Sequence, residues 1–433
     1  MGKTKIYEKD FGYTLLKPCV DWCTRHSYNR IEVKGRENIP ADGAVIIAPN
    51  HCNTLMDALV ILQAFQDESV FGARADMFKR PLIAKAMFFV RILPMVRQRD
   101  GLRNVLKNYE SIDTITETLE HGVRFCMYPE GRHRPAHSLL PLGKGVFRAA
   151  LAANARFGES KPVYIVPTGI EYGDYFRYRS TCLITFGKPI NVTEFIKTLN
   201  VENEAQMMEP LRKELAGRMS ELITYIPEGE DYESKWALAR ILAREGARQG
   251  NLTDRMQHNR HVISQIEKAI SINPEGMEEI LEDSLEFDKE RKKKGLSIWS
   301  FGSRNNIGRA FGKGLIALLG LPYFIFAACA SLPMWLTFEL LRGKLKDRAF
   351  HNTAGFGIKL AMGPLVFLLW TILAFCLTSW PVALLLSLLT IPSYGFFYDY
   401  TEFIRTYISD LKLLNSKKTS KFFDEICKDF SKI

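Results

Sequence analysis

Short apolar runs bounded by glycine, proline and polar clusters occupy residues 30–200, a polar helical rhythm follows to about residue 296, and long apolar stretches fill much of the remainder. Residues 31–49 read as strand, turn, strand, with Gly35, Pro40 and Gly43 marking the turn. The run Ala44-Val45-Ile46-Ile47-Ala48 has no polar alternation, as expected of a strand buried on both faces. Helical stretches are expected over 58–66 and 102–121. Further strands are expected at Val123–Tyr128, Pro162–Ile170 and Leu183–Phe186. Strands alternating with helices predict an α/β domain over residues 31–202.

Residues 203–296 are charged and poor in β-branched runs, which predicts a helical subdomain. At the other end, residues 6–28 mix aromatic, aliphatic and basic positions. They are too polar to span a bilayer, and they suit either an amphipathic helix in the membrane interface or a helix packed on the domain. We assign residues 1–30 to such a membrane-apposed segment. Residues 297–433 form a membrane region with three apolar segments and a basic tail: Gly314–Phe338 with Pro322 and Pro333, Phe356–Trp380, and Val382–Phe397. Crossing ~30 Å of hydrocarbon takes roughly 20 residues, so the second segment is long enough and the third slightly short. Basic residues flank most of the segments, including Arg342, Lys344, Lys346 and Arg348 between the first two. Three simple spans would place that cluster on the outer side, against the positive-inside tendency. The expectation is therefore membrane hairpins, the first dipping and returning around Pro322 and the others turning at Trp380-Pro381.

Charge and cysteine content narrow the class. The formal net charge is +10, and the basic clusters near the apolar segments fit anionic headgroups better than nucleic acid. None of the eight cysteines forms a C-x-x-C pair, so they read as reduced thiols, with neither a disulfide framework nor a metal site expected. The first apolar cluster is interrupted by Lys17, Asp21 and Arg25, which argues against a secretory signal there.

The candidate chemistry begins at Asn50-His51-Cys52-Asn53-Thr54-Leu55-Met56-Asp57, directly after the buried run. A histidine at the mouth of a strand can act as a general base, and a nearby carboxylate can hold it. Taken alone, the pair reads better as two unrelated polar residues. Three more blocks follow in order: Pro94-Met95-Val96-Arg97, Tyr128-Pro129-Glu130-Gly131-Arg132-His133-Arg134, and Ile165-Val166-Pro167-Thr168-Gly169. With these four blocks, residues 30–200 resemble the glycerolipid acyltransferase family, the lysophosphatidate and glycerol-3-phosphate acyltransferases. That family carries an N-H-x4-D block, an arginine block, an F-P-E-G block and a V-P block in this order. The tripeptide Pro-Glu-Gly recurs at 227–229 and 274–276, where it reads as a turn or helix start, so the tripeptide alone identifies nothing.

The resemblance implies a mixed sheet flanked by helices and an acyl transfer from a thioester to a hydroxyl. His51 would be the base and Asp57 its orienter. Arg97 would hold the acceptor's phosphate through its fork of donors. Glu130 and Gly131 would hold the acceptor's other end, with Arg132 and Arg134 adding charge beside them, and Lys144 follows the block as a lysine often does in the family, between glycines that allow close backbone approach to a ligand. Cys52 beside His51 is an alternative as an acylated nucleophile, but adjacent side chains usually point apart. Two departures stand out. His51 and Asp57 have five residues between them where four is usual, and Arg132-His133-Arg134 replaces a common Thr-Arg-Ser. An i, i+6 pair lies about 240° apart around an ideal helix. Mutual contact therefore predicts a non-helical start after Asn50.

The implied enzyme is a membrane-integrated O-acyltransferase with its catalytic domain on the cytoplasmic face. It would use acyl-CoA or acyl carrier protein as donor and no other cofactor. Lysophosphatidate is the first acceptor and glycerol 3-phosphate the second, which the five-residue spacing favours. A non-catalytic membrane scaffold is the alternative class.

Overall fold

The computed structural model describes residues 5–8, 10–65, 69–95, 105–199, 201, 203–244, 251–302 and 306–433. The chain forms two compact units. One comprises the chain up to Ile223 together with Asp347–Thr353, and the other comprises Thr224–Lys346 and Ala354–Ile433.

The first unit is built on one sheet. Its elements run α1 (Phe11–Ser27), β1 (Arg30–Lys34), β2 (Ala44–Pro49), α2 (Thr54–Ala64), β3 (Ser69–Arg74), α3 (Pro81–Phe89) and β4 (Ile92–Met95). They continue through α4 (Val105–Glu120), β5 (Arg124–Cys126), α5 (Gly145–Phe157), β6 (Val163–Tyr172), β7 (Thr181–Phe186), β8 (Ile190–Asn191), α6 (Val192–Thr198) and α7 (Glu204–Ser220). The strand order is β1-β7-β6-β2-β5-β3-β4, with β8 also pairing β6. β2 lies parallel between β5 and β6, while β7 and β8 run antiparallel to β6. This is the α/β domain that the alternating pattern predicts, with the mixed sheet that the resemblance implies. Every residue of β2 is buried, as a central parallel strand requires.

β3 and β4 escaped the sequence reading because each is short and abuts a charged stretch. Strands 31–34 and 44–49 also do not form a hairpin: β1 pairs β7, and β2 pairs β5 and β6. The helical subdomain expected from residue 203 begins later, because α7 belongs to the sheet unit. Its Leu211, Leu215 and Met219 recur every fourth residue, are fully buried and join the core under the sheet. Polar composition conceals that single stripe. α1 buries Tyr13 and Cys23 and leaves Phe11 and Leu15 exposed, so it packs on the domain through one face only.

The second unit contains α8 (Tyr232–Ala243), α9 (Leu252–Ile272), α10 (Pro274–Lys293), α11 (Ile307–Arg342), α12 (Ala349–Leu377), whose first turn lies in the sheet unit, α13 (Trp380–Leu414) and α14 (Lys417–Phe430). Leu238, Ile266, Met277, Phe287 and Phe301 form its core. Phe423 and Ile426 of the basic tail also enter that core, so the tail is a folded helix. α11, α12 and α13 are long and apolar enough to cross a membrane. The dip expected at Pro322 is absent: α11 continues through Pro322 and Pro333. A proline removes one backbone donor, and in a long apolar helix neighbouring groups can compensate. The expected break near Trp380-Pro381 is present, with Thr378 and Ser379 separating α12 from α13 and Pro381 in the first turn of α13.

Candidate active site

β2, β5 and β6 are parallel, so their carboxyl ends share one edge of the sheet. Open α/β sheets bind ligands in the crevice beyond such ends. The first, third and fourth sequence blocks are the segments that leave or form these ends, which is how residues 80 to 120 positions apart come together.

His51 is the second residue beyond β2. Its N–H donates to Glu130 Oε1 (2.7 Å), and its carbonyl accepts from the Arg134 N–H (2.9 Å), so the third block clamps its backbone. Its ring stacks on Tyr128 at 4.3 Å between centroids and meets the His133 ring edge at 5.7 Å. Nδ1 lies 2.7 Å from Asp57 Oδ2. The histidine side chain keeps 18% of its surface exposed, while the Asp57 side chain has none.

The extra residue between His51 and Asp57 is absorbed where the sequence requires it. Residues 50–53 are not helical, and α2 starts at Thr54 with φ +45°. That left-handed value is unusual for a β-branched residue. The turn aims the Cys52 and Asn53 N–H groups at Asp57 Oδ2, at 2.8 and 2.7 Å. Tyr172, at the end of β6, donates its hydroxyl to Asp57 Oδ1 at 2.7 Å. Burial and the Asp57 charge push the Tyr172 phenol well above its ordinary value, so it stays protonated and donates. Four donors thus converge on one buried carboxylate. Asn50 locks the turn to β6: its Oδ1 accepts from the Ile170 N–H (2.6 Å), and its Nδ2 donates to the Ile170 carbonyl (3.1 Å). Tyr172 was not legible as a site residue, since its position in an apolar strand gives no local signal.

Cys52 is buried and its sulfur accepts from Asn50 Nδ2 at 3.0 Å, and burial pushes its thiol well above the ordinary value. A thiol held protonated is a poor nucleophile, so the geometry disfavours Cys52 as an acylated group. Glu130 is tied to the backbone through both of its oxygens. Its second oxygen accepts from the Leu140 N–H (2.8 Å), so both oxygens serve backbone donors, one on each side of the site. Burial raises its carboxyl above the ordinary range, against the pull of those two bonds. Gly131 turns the chain with φ +64°, which costs other L-residues about 1–2 kcal/mol. Arg132 and Lys144 are exposed beside this turn, and the Gly143 N–H bonds the Pro129 carbonyl (2.7 Å) to hold the Lys144 loop against it. Val166 and Pro167 lie within β6 beside Ile47 and Ala48. Arg97 falls outside the described residues. Among the described residues, no group of three His, Cys, Asp or Glu side chains is arranged to hold a metal ion.

Residues 30–171 match the family profile described as Acyltransferase. The chain is 26% identical over 128 residues to the 1-acyl-sn-glycerol-3-phosphate acyltransferase alpha of Mus musculus, a match covering 29% of this chain and 42% of that protein. It is 27% identical over 157 residues to an uncharacterized protein of Mycobacterium leprae, covering 34% of this chain and 40% of that one. The chain thus spans about two fifths of the length of these curated relatives. Among solved structures, the 1-acyl-sn-glycerophosphate acyltransferase PlsC of Thermotoga maritima is similar, with 20% identity, 49% of this chain and 83% of that chain covered, and a TM-score of 0.35. The stretch matched by that profile, residues 30–171, holds His51, Asp57 and the Glu130-Gly131 turn.

Proposed function

We propose that this protein is a membrane-bound O-acyltransferase that transfers a fatty acyl chain to the free hydroxyl of 1-acylglycerol-3-phosphate. The donor is a thioester, acyl-CoA or acyl-acyl carrier protein, and no further cofactor is needed. The observation that carries this reading is the 2.7 Å contact of His51 Nδ1 with an Asp57 carboxylate pinned by three other donors. A proton on Nδ1, held by Asp57, leaves the lone pair on Nε2. Nε2 takes the acceptor's hydroxyl proton as that oxygen attacks the thioester carbonyl. The carbon–sulfur bond then breaks, and the departing thiolate takes the proton back from the imidazolium. Asp57 stabilises the imidazolium in between, as the acid of a Ser-His-Asp triad does. The substrate's hydroxyl is the nucleophile, consistent with the buried, protonated Cys52.

Arg97 is the proposed phosphate holder, with the exposed Arg132 and Lys144 adding positive charge at the rim. The three apolar helices and the half-exposed apolar face of α1 keep the site at the cytoplasmic face of a bilayer, where a lipid acceptor can enter and leave. Glycerol 3-phosphate is the second acceptor, favoured by the five-residue spacing between His51 and Asp57. A scaffold would have no use for a buried carboxylate pinned by four donors, which argues against that class. The test is purified protein with radiolabelled acyl-CoA and each acceptor in turn. Transfer to lysophosphatidate that disappears in His51→Ala is expected, and the absence of any His51-dependent transfer would leave the scaffold standing.

A further inference from the structure

Residues 347–353 leave the unit to which the chain on either side of them belongs. They pack instead with the sheet unit, although they include the start of α12, whose remainder lies in the other unit. Two separate sets of contacts tie this short segment to the catalytic turn.

The first set passes through His133. Asp347 Oδ2 lies 3.0 Å from His133 Nε2, and Asp347 Oδ1 accepts from the Ala349 N–H at 2.9 Å. His133 is therefore held from behind by a carboxylate whose own direction is fixed. The Phe350 ring meets the His133 ring edge-on at 5.9 Å, and His133 presents its ring to His51 at 5.7 Å. The second set passes through Thr54, the residue at φ +45° on which the Asp57 turn depends. Its hydroxyl donates to the Ala349 carbonyl at 3.1 Å, so the Thr353 hydroxyl, 2.8 Å away, donates to it. A left-handed threonine costs about 1–3 kcal/mol and persists only where its surroundings over-determine it. The 347–353 segment supplies two of those restraints. Asn352 adds a third tie: its Nδ2 donates to the Tyr175 carbonyl, which also accepts from Asn53 Nδ2.

We propose that the segment joining α11 to α12 is a built-in wall of the catalytic site, in which Asp347 is a positioning residue acting on His51 through His133. The inference rests on the acyl-transfer reading above and adds a residue 214 positions beyond His133. The site is complete only when the segment between two apolar helices is seated.

The experiment compares the full-length wild type with Asp347→Asn and Asp347→Glu. Steady-state acyl-CoA kinetics, thermal unfolding, and the rates at which diethylpyrocarbonate modifies His51 and His133, read by mass spectrometry, are measured for all three. Asp347→Asn is expected to lower kcat about tenfold, with the KM for acyl-CoA within twofold and an unchanged unfolding temperature. His133 should be modified at least threefold faster. Asp347→Glu, which keeps the charge, should recover most of both effects. Wild-type kcat and modification rates in Asp347→Asn would overturn the proposal. So would a loss shared equally by Asp347→Glu and tracking a lowered unfolding temperature. A wild type with no His51-dependent transfer would instead refute the acyl-transfer reading, and the His133 modification rates would still decide the role of Asp347.

Discussion

Asp57→Asn isolates the electrostatic work of the site, because the two side chains have the same shape. The amide oxygen can take the Oδ2 position and keep the Nδ1–H of His51 and the Cys52 and Asn53 N–H groups as donors. The amide nitrogen then faces the Tyr172 hydroxyl, which can turn to accept instead of donate. The hydrogen-bond count survives, so the cost to folding is modest, about 1–3 kcal/mol for exchanging charge-assisted for neutral bonds. On the proposed mechanism, what is lost is the counter-charge for the imidazolium. Two unit charges about 4 Å apart interact by about 4 kcal/mol at an effective dielectric constant near 20. The barrier rises by a similar amount, which corresponds to a factor of about 10³ in rate. The expected result is a kcat near one-thousandth of the wild type with KM little changed, followed by release of CoA thiol in a colorimetric assay. A kcat within tenfold of the wild type, in a variant that folds, would refute the assignment of Asp57 as the imidazolium's partner.

Two further perturbations separate orientation from folding. Tyr172→Phe removes one donor to Asp57 Oδ1 and leaves the charge, so a loss of no more than about tenfold in kcat is expected, with about 1–3 kcal/mol of stability lost by denaturant titration. In the other unit, burial pushes Asp288 up but Arg240, Lys292 and Arg291 outweigh it and hold the carboxyl below its ordinary value of 3.8. A depressed folded-state value stabilises above the unfolded value, and that stability is lost as pH falls through the folded one. Wild-type stability followed by circular dichroism should therefore fall below about pH 4 through this group. Asp288→Asn, which strands the buried Arg291, should cost about 3–5 kcal/mol at neutral pH and lose that part of the pH dependence.

Much of the site's residue content was readable in the linear chain because each block sits where local pattern meets special chemistry. The apolar run 44–48 announces a buried parallel strand, and a histidine two residues past such a strand is at a carboxyl end by construction. Even the bend before Asp57 follows from spacing, since an i, i+6 pair cannot meet on a regular helix. The length and apolarity of α11, α12 and α13 are likewise local properties. Glu130 shows the limit. Its presence was legible, but the direction of its carboxylate was not, because its partners are N–H groups at His51 and Leu140 that only folding brings to either side of it.

The sequence by itself determined the α/β domain, the acyltransferase blocks and the apolar helices, because hydrophobic period and residue type are encoded within a few turns of chain. Only the tertiary structure decided what completes the His51–Asp57 pair. Tyr172 reaches Asp57 across 115 positions, and Thr54 is held left-handed by residues almost 300 positions away. It also decided that α7 and residues 347–353 belong to the sheet unit. Pairings of this kind leave no periodic trace, since each is a single contact between elements whose own patterns are satisfied without it.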